Sequence, residues 1–104
     1  MFVTSPEDAY SRFRRALLTK NVTLVRAAAA DLRRIGLDDA LRILVVLAEK
    51  HDPRYDRAAA RFAARLTSER QLDLADARYV LALAEALPRS PDSIALVLQK
   101  YCSA

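Results

Sequence analysis

The sequence predicts an all-α protein of six antiparallel helices paired as three αα-hairpins. Four observations carry this. Alanine, leucine and arginine dominate the chain, and all three are strong helix formers. One glycine and four prolines in 104 residues leave few turn residues. No stretch alternates apolar and polar residues for long, so β-structure finds no support. The signature Ser5-Pro6-Glu7-Asp8 is repeated at Ser90-Pro91-Asp92, with the related Asp52-Pro53 between them. Each combines a capping side chain with a proline suited to the first helical position.

The first helix is expected from Ser5-Pro6 to about Leu18 or Thr19, with Tyr10, Phe13 and Leu17 on the core face and Arg12 and Arg15 opposite. Asn21 can cap a second helix whose apolar face is Leu24, Val25, Ala28, Leu32 and Ile35, with Gly36 ending it. On that helix Arg26 and Arg33 stand one above the other, two turns apart. The third helix, Asp38 to His51, contains the run Ala40 to Ala48, whose single charged residue is Arg42. Its β-branched Ile43, Val45 and Val46 would suit a buried strand, but its length and flanking acids favour a helix. A helix apolar on nearly every side must be covered on nearly every side, so Leu44 and Leu47 are expected at the centre of the core.

Asp52-Pro53 opens a fourth helix with the stripe Tyr55, Ala59, Phe62, Leu66. Thr67 to Gln71 is the longest polar interval and reads as a loop. A fifth helix begins near Asp73, with Asp76 three residues on in the manner of a capping box, and stops near Leu87 at Pro88. The sixth carries Ile94, Val97, Leu98 and Tyr101 on one face and Leu96 on the other.

Asp8-Ala9, Asp39-Ala40 and Asp76-Ala77 each open an odd-numbered helix, about one αα-hairpin apart. Asp39-Ala40-Leu41-Arg42-Ile43-Leu44 aligns with Asp76-Ala77-Arg78-Tyr79-Val80-Leu81. This period resembles that of HEAT, armadillo or tetratricopeptide arrays, without a tetratricopeptide consensus. The resemblance implies a short HEAT- or armadillo-like superhelical stack, and a compact six-helix bundle is the alternative. Residues 1–104 read as a single domain.

The net charge is +4, and arginine outnumbers lysine 14 to 3. That bias often follows genome composition, which weakens it as a sign of nucleic-acid binding. Its distribution is more informative: residues 1–35 carry seven basic and three acidic side chains, whereas residues 72–104 carry three and four. Met1-Phe2-Val3 followed by polar residues does not read as a signal peptide. No apolar stretch approaches the roughly 20 residues of a membrane span. A cytoplasmic protein without a membrane partner is expected.

No residue pattern points to catalysis. A single glycine cannot build a phosphate loop, and a single histidine, His51, excludes two-histidine metal motifs. Cys102 has no cysteine partner, and the paired aspartates read as helix-start acids. No catalytic residue, cofactor or metal is therefore expected.

Two surface features remain. Arg12, Arg15, Arg26 and Arg33 can converge on one outer face of the first hairpin, with few acids nearby, as a nucleic-acid or partner patch. The stripe Arg54, Arg57, Arg61, Arg65 has acids interspersed and reads as a solvated face. The aromatic residues that would stack single-stranded bases are expected to be missing from the patch, with Tyr10 and Phe13 facing the core. Leu18 and Leu96 fall off the apolar faces of the terminal helices and are candidate interface residues. Together these features suggest a non-enzymatic helical interaction or adaptor module that binds a protein partner or a second copy of itself. The alternative is a nucleic-acid-binding or transcription-regulatory accessory protein using the amino-terminal arginines.

Overall fold

The computed structural model describes residues 6–103, and all regular structure among them is helical. In chain order the elements are α1 (Pro6–Thr19), α2 (Val22–Ala30), α3 (Leu37–Glu49), α4 (Tyr55–Glu69), α5 (Leu74–Ala86), a 3-10 turn (Leu87–Arg89) and α6 (Pro91–Ser103). They form two units, one up to Gly36 and one from Leu37 onward. The expected cap at Ser5 lies outside the described residues.

In the first unit α1 and α2 pack as an antiparallel hairpin across a two-residue turn. Ala9, Phe13 and Ala16 are buried on α1, and Val25 on α2. Tyr10 does not share the fate of Phe13: it is 41 % exposed, although the two rings remain 6.2 Å apart. One helical residue step is about 100°, so Tyr10 sits at the edge of the face that Phe13 centres. α2 is also shorter than its apolar pattern suggests. It ends at Ala30, with the Asp31 N–H donating to the Ala28 and Ala29 carbonyls, and Leu32 to Gly36 are non-helical. Leu32 and Ile35 therefore do not extend a helical face, Arg33 does not stand above Arg26, and Gly36 is not the helix terminator.

In the second unit α3 lies against both α4 and α6, α4 lies against α5, and the 3-10 turn fills between α3, α5 and α6. α6 packs chiefly on α3 and only sparsely on its sequence neighbour α5, so the four helices close into a ring. Leu44, Leu66, Val80, Leu87 and Leu98 are fully buried within it. Leu47 is buried as expected, and Tyr55, Ala59, Phe62 and Leu66 form the anticipated stripe. Polar side chains also bridge the ring. The Tyr55 hydroxyl donates to the Ala84 carbonyl at 2.6 Å, and the Gln99 amide donates to Asp38 Oδ1 at 2.6 Å.

Side chains cap the starts of α2 and α5. Asn21 Oδ1 accepts from the Leu24 N–H at 3.1 Å, and Asp73 Oδ1 from the Asp76 N–H at 2.8 Å, both as the sequence predicts. Asp52 Oδ1 accepts from the Arg54 N–H, so Asp52-Pro53 makes a turn and α4 proper begins at Tyr55. α4 then runs through Thr67 and Ser68, residues expected in a loop, to Glu69. An Arg65–Glu69 pair at 2.7 Å, one turn apart, accompanies this extension.

Three helix ends use left-handed residues that are not glycine: Lys20 (φ 55°), His51 (φ 49°) and Gln71 (φ 51°). After α3, the His51 N–H donates to Ala48 O and the Asp52 N–H to Leu47 O. After α4, Gln71 and Leu72 do the same to Ser68 and Thr67. Both are Schellman closures. After α1 the Thr19 hydroxyl takes over part of this role, donating to Ala16 O at 2.6 Å and accepting from the Asn21 N–H.

Candidate functional site

Cys102, Tyr55, Arg70 and Asp39 are engaged within the fold. The Cys102 thiol is buried against the Leu37 carbonyl, 3.9 Å away. Burial, reinforced by Asp38, pushes its pKa up to about 11, so it is protonated at neutral pH and a poor nucleophile. Burial and the neighbouring Asp56 also push the Tyr55 phenol well above its ordinary value. The Arg70 guanidinium donates to the Cys102 carbonyl in the last turn of α6. His51 is exposed at the left-handed position that ends α3. Asp39 is buried and pairs with Arg42 at 2.8 Å. Among the described residues no three His, Cys, Asp or Glu side chains are placed to hold a metal.

Of the four amino-terminal arginines, Arg12 and Arg15 line one groove, of about 370 Å³, between α1 and α2. An acid enters it: Asp31, at the end of α2, lies 3.7 Å from Arg12. Arg26, within α2, and Arg33, beyond its end, are exposed but are not part of that groove. The patch thus consists of a pair with a carboxylate beside it and two separate cations. Tyr10 adds an aromatic surface that was expected to be absent. Its hydroxyl accepts from Arg14 at 3.3 Å, and the Arg14 guanidinium lies 6.0 Å from its ring centroid.

Leu18 and Leu96 are 83 % and 69 % exposed, as expected for residues off the apolar faces. Within its own helix neither has an apolar neighbour one turn away. The positions a turn away within the same helix are Arg14 and Arg15 for Leu18, and Asp92, Ser93, Gln99 and Lys100 for Leu96.

A larger apolar surface lies between α4 and α5. This groove, of about 520 Å³, has a floor of alanines, including Ala60 and Ala64 of α4 and Ala77 of α5. Leu74 and Leu81 form its wall and are 73 % and 54 % exposed. α5 buries Val80 and Ala84 on one face and presents Leu74 and Leu81 on another, about 90° round the helix, with half-buried Ala77 between them. Sequence reasoning missed this groove because α5 is apolar nearly all round, and such a helix reads as a core helix. The legible signal was the second apolar spacing, Leu74, Ala77, Leu81, offset from the first.

Comparison with known proteins finds no matching family model, no matching curated protein and no matching solved structure. No helix among the described residues is long and apolar enough to cross a membrane.

Proposed function

We propose that this chain is a non-enzymatic, cytoplasmic helical interaction module that binds a protein partner along the α4–α5 groove. The observation that carries this reading is the apolar surface formed by exposed Leu74 and Leu81 and half-buried Ala77 beside the alanines of α4. Such surfaces on soluble domains mark interaction sites, whereas scattered single leucines do not. Self-association through Leu18 or Leu96 has weaker support, since neither has an apolar neighbour one turn away in its helix. For the architecture, the closure of α6 on α3 favours a bundle in the second unit over an open HEAT-like stack.

The test is photocrosslinking from position 77 in the native host, read by mass spectrometry. A discrete protein adduct is expected, and Leu74→Glu/Leu81→Glu should abolish it. Stability should stay within about 0.5 kcal/mol of the parent, because both side chains are at the surface. If positions 77 and 64 give no protein adduct, the reading fails.

One observation favours a second reading, nucleic-acid binding through the amino-terminal arginines: Tyr10 is exposed beside Arg14, and a guanidinium next to an aromatic ring can stack a base. Its signature is DNA affinity that falls steeply with salt, with a log–log slope of roughly −3 to −4 for three or four phosphate contacts. Replacing Arg12, Arg15, Arg26 and Arg33 by Gln should remove that slope. Absence of binding tighter than about 100 µM to duplex or single-stranded DNA discards this reading.

A further inference from the structure

We infer that the occupant of the α4–α5 groove is an acidic amphipathic helix of a partner protein. This rests on the reading of the chain as a protein-binding module and adds the chemistry of the bound segment. The shape of the groove selects a helix. The walls are themselves helices, whose backbone groups are satisfied internally, so they offer no sheet edge to which a strand could add. No aromatic side chain lines the groove, so it lacks the ring-lined slots that hold proline-rich peptides. Leu74 and Leu81 are two helical turns apart, about 10.5 Å along α5. That span matches the i, i+3/i+4, i+7 anchors of an incoming helix, and the alanine floor leaves room for its side chains.

Charge selects the kind of helix. Arg78 is part of the groove wall on α5. At about 100° per residue, Arg57 and Arg61 fall along the outer edge of the groove face of α4. None of the three is engaged with a carboxylate among the described residues, whereas Arg65, further round α4, pairs with Glu69. The acids that share this face, Asp56 and Glu85, sit at one end, where α4 starts and α5 finishes. A helix with leucines in the groove and Glu or Asp at its margins meets both the apolar floor and the arginines. A second copy docked groove to groove would bring the arginines of both copies to the same margins. A phosphate backbone would answer the arginines but leave the leucines against a charged surface.

The experiment titrates the full chain with two labelled synthetic helical peptides, read by fluorescence anisotropy. They share leucines at i, i+3/i+4 and i+7, flanked by Glu in one and Lys in the other. The acidic peptide should bind about three- to tenfold more tightly, as expected for two or three partly exposed charge pairs. Arg61→Glu/Arg78→Glu should reverse that preference, and Leu81→Glu should weaken both peptides. Should the reversal perturb folding, Arg61→Gln/Arg78→Gln should still erase the preference. Equal binding of the two peptides, or a preference indifferent to these arginines, would overturn the inference. If neither peptide binds while the crosslink from position 77 still captures a protein in a Leu81-dependent way, the acidic helix is wrong and the module reading stands. Loss of both sinks both. A homodimer dispersed by Leu81→Glu, or duplex DNA bound more tightly than the acidic peptide, also overturns it.

Discussion

Pro88 has no N–H to offer the Ala84 carbonyl four residues before it. The Tyr55 hydroxyl supplies a donor from α4 at 2.6 Å. The sequence made Pro88 legible as a stop and Tyr55 legible as a core residue. It could not pair them, because a hydroxyl's partner is chosen by tertiary packing. Removing the hydroxyl leaves a buried acceptor unsatisfied, so Tyr55→Phe should cost about 1–3 kcal/mol in a urea melt at pH 7. The same packing predicts alkaline sensitivity. Cys102 and Tyr55 are neutral when protonated, and burial raises both pKa values, from ordinary values of 9.0 and 10.0. The stability this confers is complete below those values and is lost as pH rises toward the folded-state ones. The urea midpoint should therefore fall between about pH 9 and 11. Cys102→Ala should make that fall shallower, although the cavity lowers stability at every pH. An unchanged slope would mean that the thiol is not protected in the fold.

At the scale of the helices, starts were more legible than ends. Asp8, Asp39 and Asp76 each occupy the third position of an odd-numbered helix. The apparent sequence repeat therefore marks equivalent helix starts, where an acid favours the helix dipole in any fold. It did not require the stacked architecture it suggested. Ends are harder because glycine, the usual marker, is nearly absent. Lys20, His51 and Gln71 take the left-handed position instead, and nothing in a lysine, histidine or glutamine announces that role. The one glycine suits a terminator by sequence, yet its φ is not positive, and a Cβ added there meets nothing within 4 Å. Left-handed backbone costs an L-residue roughly 1–2 kcal/mol, and glycine loses some of that relief to its unfolded-state freedom. His51→Gly and Gln71→Gly should each stabilise by about 0.5–1 kcal/mol. Gly36→Ala should stabilise by about 0.4–1 kcal/mol for the opposite reason. Thermal melts of the three variants check this. A destabilising His51→Gly would show that its side chain contributes more than its backbone strain removes.

At the scale of the whole chain, the surface was less legible than the core. Burial of Leu44, Phe62, Leu66 and Leu98 follows from helical periodicity alone. Exposure of Leu74 and Leu81 depends on which side of α5 its neighbours occupy, and periodicity cannot tell two apolar faces apart. The same ring contacts make a claim about folding. The second unit joins its first and last helices directly through Asp38–Gln99 and Leu37–Cys102, and its middle through Tyr55–Ala84. These contacts span 61, 65 and 29 residues of sequence, so the ring closes entirely from within residues 37–104. Units of about 60 residues bury enough surface to fold alone, though only marginally. A fragment of residues 37–104 should accordingly be helical by circular dichroism and unfold in one cooperative urea transition. Leu44→Ala should lower its stability by about 2–5 kcal/mol, enough to unfold a marginal unit outright. A fragment that is helical but melts without cooperativity would mean that the ring needs residues before Leu37 to fix its packing.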